Sequence, residues 1–523
     1  MRLINSGQPP VQDELTRILK AFPIDLLKIY PRSFCSKNGL WYGLIRTSEG
    51  KKLVVMGERG HVIKDSFQGN CHHQSSSLKV CDLSAENTQC LMALFPYTKP
   101  VSLRKYPMTI GTGDCLGLAI PGHIRAIKKF QVHPVLAQQS IRENTQTRRD
   151  FIKVIQEAAW AVFQENYQEG YGADGDHLKS LQDVKNALDA GVSMITLDLS
   201  EKINPEALHQ PKEWIDRKFK EEIDEGDGKV IFHLFLGKEF VLKGPEEQFS
   251  IQFDEENVKR NTLLFYRALD FTEEIYEWIR FRRGNQGPVD FEISMDETPF
   301  PTSSENHFFF ALELSHRGVH IQSLAPRFIG EFQKGIDFRG DREAFRRQFC
   351  QHVLIAQDYG NYKISIHSGS DKFSIFSDLG GLSKGFLHLK TAGTSWLEAM
   401  RFIAIGNPSL YREMHSFALS KFKEASKRYH ARTDLNRIPN LEGLSDEEFP
   451  ALLDQEDSRQ LFHITYGYLL NAKNKAGNNI FKDRLYQTLI QYEEDYWSVL
   501  EKHLGKYLNL LGVKRKRKGD DEK

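Results

Sequence analysis

The stretch DFEISMDE, residues 290–297, alternates without a break: Phe291, Ile293 and Met295 on one side, Asp290, Glu292, Ser294 and Asp296 on the other. Successive side chains of a β-strand point to opposite faces, so this segment reads as a strand with one apolar and one ionisable face. Apolar groups of a barrel strand pack outward against helices, which turns the acidic row toward the lumen. Working outward, seven more segments read as strands: TIGTGD (109–114), PVLAQQS (134–140), GYGADGDH (170–177), MITLD (194–198), VHIQSLAPR (319–327), YKISIHSGSD (362–371) and FLHLKTAG (386–393). Most are followed by a helical stretch. Strand, crossover and parallel strand repeated eight times make a closed (β/α)8 barrel, which carries its chemistry at the C-terminal ends of the strands.

The expected fold class is therefore α/β, a (β/α)8 TIM-type barrel with additions at both ends. Residues 1–105 mix a short helix (Asp13 to Ala21) with strands such as LWYGLIRT and KKLVVMG, and read as a small β-rich domain. Residues 106–405 form the barrel. An insertion after strand four, 200–288, carries a hairpin-like KVIFHLFLGKEFVLKG (229–244) and a long amphipathic helix from Glu255 to Arg283. From 406 to 523 apolar residues recur at helical spacing, and RTDLNRIPNLEGLSDEEFPALL reads as a connector within this helical C-terminal region. The final KRKRK (514–518) and GDDEK read as a disordered, solvated tail.

At 523 residues, Lys plus Arg (70) equal Asp plus Glu (70), so the balance gives no reason to expect nucleic acid or a membrane surface as partner. No apolar run approaches the 18 or so residues of a membrane span and no signal sequence is evident, so a cytoplasmic protein is expected. Six cysteines over this length suggest no disulfide framework. Cys71, His72, His73, Cys81 and Cys90 lie near one another in sequence but include no CxxC pair, and unremarkable thiols are the expectation over a zinc site. Gly111 and Gly113 lack the third glycine and opening helix of a dinucleotide fingerprint.

Several strands send ionisable groups into one lumen, where each unpaired charge would cost several kcal/mol. A metal ion or an anionic ligand would offset that cost. His177, His367 and His388 sit at or near the ends of the third, seventh and eighth strands, and are the candidate ligands of a divalent cation, with Glu292 the alternative for the place of His388. Imidazoles and carboxylates with open positions suit zinc, nickel, cobalt or manganese. Asp176, next to His177, is a candidate proton acceptor, and Glu292 could act from the other side. The bland alternative makes these carboxylates structural partners of Lys179, Lys363 and Lys390. His316, His320 and His352 fall on helices or at a strand's start and read as structural. The loops HSGSDKFS (367–374) and KTAGTSW (390–396) follow strands seven and eight, where barrels commonly bind anions through backbone amides.

Six ordered motifs resemble the tagaturonate epimerase family: TGDCLGLAIPGH (112–123), PVLAQQSIREN (134–144), GADGDHLKSLQDV (172–184), SLAPRFIGEFQKGID (323–337), ISIHSGSDKFSIF (364–376) and HLKTAGTSWLEAMR (388–401). The resemblance implies a metal-dependent interconversion of D-tagaturonate and D-fructuronate, with the neutral ketohexoses as further substrates in some relatives. It implies Asp176 as proton acceptor, Glu292 as proton donor and His177, His367 and His388 as metal ligands. Gln138, Ser140, Arg142, Lys179, Asp198, Arg327, Ser368, Asp371, Lys390 and Thr391 are the implied substrate contacts, Lys390 or Arg327 being first in line for the sugar carboxylate. A small-molecule ketouronate or ketohexose is thus the expected partner, with homo-oligomerisation open. A metal-dependent aldolase or ketose isomerase would use the same barrel, and a non-catalytic sugar-binding protein is a further alternative. The inverted carbon lies β to the ketone, so enolisation would touch the wrong carbon; retro-aldol cleavage, rotation and re-addition would invert the right one.

Overall fold

A computed structural model describes residues 12–57, 63, 65–73, 77–244, 247–284, 287–429 and 431–517. The chain divides into two compact units, Met1–Pro100 with Ile152–Tyr171, and Val101–Phe151 with Gly172–Lys523. In the first, strands Lys28–Lys37, Leu40–Thr47, Gly50–Gly57, Asn70–His73 and Ser77–Asp82 form an antiparallel sheet in the order first, second, third, fifth, fourth. Lys37 pairs with Leu40 around Asn38 and Gly39, both at positive φ, the two-residue hairpin turn that Asn-Gly favours. Helix Gln12–Lys20 buries Leu15 and Leu19 against Ile29, Trp41, Ile45 and Val54 of the sheet. Fully burying side chains of this size contributes about 1.5–3 kcal/mol each. The helix Phe151–Gln164 packs in this unit too, with Trp160 Nε1 donating to Thr88 Oγ1 at 2.8 Å.

In the second unit all eight expected strands form and close a parallel barrel: β1 Met108–Gly111, β2 His133–Ser140, β3 Gly172–Leu178, β4 Met194–Asp198, β5 Asp290–Ser294, β6 Ser323–Ala325, β7 Lys363–Ile366 and β8 Leu387–Lys390. Each pairs with its sequence neighbours and β8 returns to β1, with His388 opposite Thr109. The N-terminal end is plugged by Leu103, Val135 and Met194, while Asp290 accepts the Leu103 amide at 2.6 Å. Helices from Ile120–Ile127 to Thr394–Gly406 follow the strands, and Pro408–Ala425, Glu456–Asn471, Lys482–Gln491 and Glu493–Leu510 form the helical C-terminal region.

Two expectations need correction. KVIFHLF is not a strand: Glu225–Phe235 is helical, started by Asp224, whose side chain accepts the Gly226 amide, and burying Gly228, Ile231 and Phe235 on one face. The hairpin lies later, Glu239–Lys243 against Gln248–Gln252. The β-branched and aromatic run misled because cap and helical burial override strand propensity. The basic tail is also ordered through residue 517. Gln131 N donates to Lys514 O, Lys516 N donates to Lys129 O, and Arg515 lies over the Phe130 ring at 5.3 Å. Backbone pairing and ring contact hold it, so charge count alone was a poor guide; Lys518 and GDDEK fall outside the described residues.

The cysteines are free. Burial pushes the Cys81 thiol up to about 12, and the cluster around it forms no metal-binding group among the described residues. His352 contacts His307, ring nitrogen to ring nitrogen at 2.8 Å, and His307 contacts the Tyr362 hydroxyl, a buried structural chain. Among the described residues no helix is long and apolar enough to cross a membrane.

Candidate active site

Side chains from strands that are not neighbours in the wall meet inside the barrel. Lys390 of β8 places Nζ 2.9 Å from Asp174 Oδ2 and 2.6 Å from Asp176 Oδ1 of β3, and 2.9 Å from Glu292 Oε1 of β5. Thr196 of β4 joins at 2.7 Å. Since β8 pairs only with β7 and β1, these contacts cross the lumen, and the acidic row of 290–297 faces inward. Burial opposes charge on Lys390, but the three carboxylates outweigh it and hold its pKa well above the ordinary value. Burial likewise works against ionised Glu292 and Asp176, and Lys390 with the neighbouring histidines holds both well below the usual carboxylate range. Asp174 is the exception, because burial prevails over Lys390 and pushes its carboxyl up to about 6.

At the C-terminal mouth lies a second group. Asp296 Oδ1 is 3.3 Å from His177 Nε2 and 2.9 Å from His367 Nδ1, and the three residues offer ligand atoms within 4.8 Å of one another. The other ring nitrogens are also engaged: His177 Nδ1 is 2.9 Å from Asp176 Oδ1, and His367 Nε2 is 2.8 Å from Glu292 Oε1. A carboxylate on one ring nitrogen orients the imidazole and raises the basicity of the other, which is how metal-ligating histidines are held. Burial disfavours charge on His177 and His367, yet Asp176 and Asp296 on the first, and Asp296 on the second, raise both above the ordinary value. A place that favours positive charge on two rings also favours a cation between them, so this two-histidine, one-carboxylate set fits a divalent metal.

The local backbone explains how consecutive residues serve one site. Strict alternation would send His177 away from Asp176. The β3–β4 register shifts between Gly175 and Leu178, and His177 adopts φ 55°, a left-handed conformation that turns its ring to the mouth. Ser368, after His367, has φ 50°. Asp296 lies two residues past β5 and accepts a hydrogen bond from Ser294 Oγ.

A cavity of about 390 Å³ opens on this group, lined by Arg142, Arg327, Lys334, Ser368 and Tyr429 among others. A narrower cleft beside it reaches Gln138, Ser140, Asp176, Lys390 and His463. Of the residues expected at the site, Gln138, Ser140, Arg142, Asp176, His177, Arg327, His367, Ser368 and Lys390 thus come together, with Glu292 just beneath. The others are engaged elsewhere. His388 Nδ1 is 2.9 Å from Thr109 Oγ1, outside the His177–Asp296–His367 group, and burial pushes its pKa down to about 3. Thr391 Oγ1 donates to the Gly111 carbonyl, Asp198 accepts the Ser200 amide, and Lys179 lies 3.0 Å from Glu201. Asp371 is bound by Arg459, His503 and Tyr507. Of the loop amides expected to take an anion, Gly369 N donates to the Lys390 carbonyl and Ser374 N to the Asp337 carboxylate.

Among the site residues with no assigned role in the sequence are Asp296, Lys334 and His463. Asp296 was visible on the polar row of β5, and continuing the alternation one step past the strand end would have reached it. Lys334 falls within the fourth family motif. His463, from the helix Glu456–Asn471, has no sequence signal linking it to the barrel.

A closed parallel barrel with this group at its C-terminal mouth defines a class, the (β/α)8 enzymes with a candidate divalent-metal centre. The sequence profile of tagaturonate epimerase matches residues 30–511. The tagaturonate/fructuronate epimerase of Thermotoga maritima is 38% identical over 486 residues, 92% of this chain and 97% of that one. Crystal structures of the fructuronate-tagaturonate epimerase from Cohnella laeviribosi, native and glycerol-complexed, superpose with a TM-score of 0.88 at 45% identity, covering 96% of this chain and 99% of that one. The chain belongs to the tagaturonate epimerase family, a family of carbohydrate epimerases of the isomerase class.

Proposed function

We propose that this protein interconverts D-tagaturonate and D-fructuronate, and that it does so with a divalent cation, zinc, nickel, cobalt or manganese, held by His177, Asp296 and His367. The observation that carries the reading is the convergence of three ligand atoms at the mouth of a family barrel, each histidine backed by its own carboxylate. Asp296 takes the third position in this reading in place of His388. When bound, such a cation polarises a substrate ketone and an adjacent hydroxyl.

The remaining roles follow from charge and position. Asp176 lines the cleft and is kept ionised by Lys390 and His177, so it can accept the proton of the substrate hydroxyl β to the ketone. Loss of that proton lets the bond between the α and β carbons break, its electron pair passing toward the ketone as an enolate and leaving an aldehyde. Rotation of the aldehyde, re-formation of the bond and return of the proton from Asp176 give the inverted alcohol. Glu292 is held ionised beneath the cavity, which suits orienting His367 better than donating a proton. The free cysteines fit a reducing, cytoplasmic setting.

Incubating metal-loaded protein with tagaturonate tests the reading. Fructuronate as the one product supports it; accumulation of two shorter fragments makes the protein an aldolase, and binding without turnover under all four metals makes it a sugar-binding protein.

A further inference from the structure

We propose that Lys334 is the specificity-determining cation that binds the carboxylate of the sugar acid, with His463 beside it as a hydrogen-bonding contact. The inference rests on the uronate reading above and names the group that makes the substrate an acid. The other cations around the mouth already have partners. Lys390 is shared by three carboxylates. Arg142 lies 3.7 Å from Glu297 and over the Tyr429 ring, and Arg327 donates to the Thr298 carbonyl. Lys334 lines both the cavity and the cleft, and among the described residues it has no ion pair.

Its backbone, by contrast, is fastened on both sides. The buried Lys372 ammonium donates to the carbonyls of Gln333 at 2.8 Å, Ile336 at 2.6 Å and Ser370 at 3.0 Å. Arg459 Nε donates to the Gly335 carbonyl at 2.8 Å, and Gln460 Nε2 to Gln333 Oε1 at 3.0 Å. Gly335 has φ +74°, and a Cβ there would stand 3.2 Å from Leu397, so the sharp turn after Lys334 needs glycine. Two buried cations thus spend their hydrogen bonds fixing a loop whose own lysine is left uncompensated. A charge held in place before the ligand arrives binds an anion with little ordering to be done.

His463 is an independent pointer to a ligand. It is 7% exposed, lines the same cleft, and its Nδ1 has no hydrogen-bond partner. Burial pushes its pKa down to about 3, leaving a neutral ring with a donor to offer. Gly393 makes room for it, since a Cβ there would lie 2.3 Å from the ring. A carboxylate between Lys334 and His463 would satisfy both.

The test pairs turnover with binding on the metal-loaded protein. D-altronate and D-altritol, the unreactive acid and neutral alcohol related to tagaturonate by reduction, are titrated calorimetrically into wild type, K334M, K334R and H463A. Wild type should prefer altronate. K334M should lose roughly 10- to 100-fold of that preference, the worth of a charge-assisted hydrogen bond, and raise KM for tagaturonate alike with kcat within about threefold. K334R should keep most of the preference, and H463A should lose roughly 2- to 10-fold. Unchanged altronate affinity in K334M, or a fall in kcat at constant KM, overturns the proposal while leaving the epimerase reading intact. Wild type that neither binds altronate nor turns over tagaturonate overturns the reading beneath it.

Discussion

Two buried histidine–carboxylate clusters in the barrel-containing unit invite comparison. At the mouth, Asp296 joins His177 and His367. In the loop after β7, Asp371 accepts hydrogen bonds from three residues of the C-terminal region, His503 at 3.0 Å, Tyr507 at 2.7 Å and Arg459 at 2.6 Å. Both carry acids held far below the usual carboxylate range against the opposing effect of burial, by histidines in the first and by Arg459 and His503 in the second. Perturbed titration therefore does not separate function from structure here. What separates them is where lone pairs point. In the first cluster nitrogen and oxygen atoms converge on one spot beside a cavity; in the second an arginine fills the corresponding space and the network closes on itself.

The comparison breaks if the wrong cluster controls chemistry. The largest expected effect is on H177A or H367A, which should lose bound metal and reduce kcat/KM by roughly a thousandfold, the several kcal/mol a metal's Lewis acidity supplies. Next, D176N keeps size but removes the acceptor, and should lower kcat by about a hundredfold or more, measured at saturating metal. A near-normal kcat would return Asp176 to a purely orienting part.

D371N should act on stability instead. It leaves the buried Arg459 with only Glu398, 3.8 Å away, as a charged partner, so unfolding should become easier by about 3 kcal/mol in denaturant titration at pH 7, with kcat unchanged. The sign with pH follows from the direction of the shift. A carboxyl whose folded pKa is depressed stabilises the protein above its unfolded value of about 4 and loses that contribution as pH falls further. The gap between wild type and D371N should therefore be full at pH 6 and shrink progressively below about pH 4. The smallest effect is on the exposed His316, whose replacement by Ala should leave metal content and turnover within error.

Much of this was legible in the sequence because alternation is a local signal. The eight wall strands and the inward polar row follow from residues 290–297 and their counterparts, and Asp176, His177 and His367 follow from lying at strand ends. What failed was information the chain does not hold locally. Residues 229–235 look like a strand until Asp224 caps them as a helix. The run 514–517 looks unattached until the backbone of 129–131 pairs with it. His388 lies near the end of its strand, but β8 pairs it with Ser365 of β7, two residues deeper than His367, and that difference in depth decides whether a ring meets Thr109 or Asp296. Lys334 and His463 meet through a loop and a distant helix, a closeness only tertiary structure supplies.

In the proposed centre His177, Asp296 and His367 hold one cation and His388 does not. Metal content after equilibrium dialysis against zinc or manganese, read by mass spectrometry on folded wild type, H177A, D296A, H367A and H388A, tests it most directly. One equivalent is expected in wild type and H388A, and loss in the other three. Retention in D296A together with loss in H388A would contradict it.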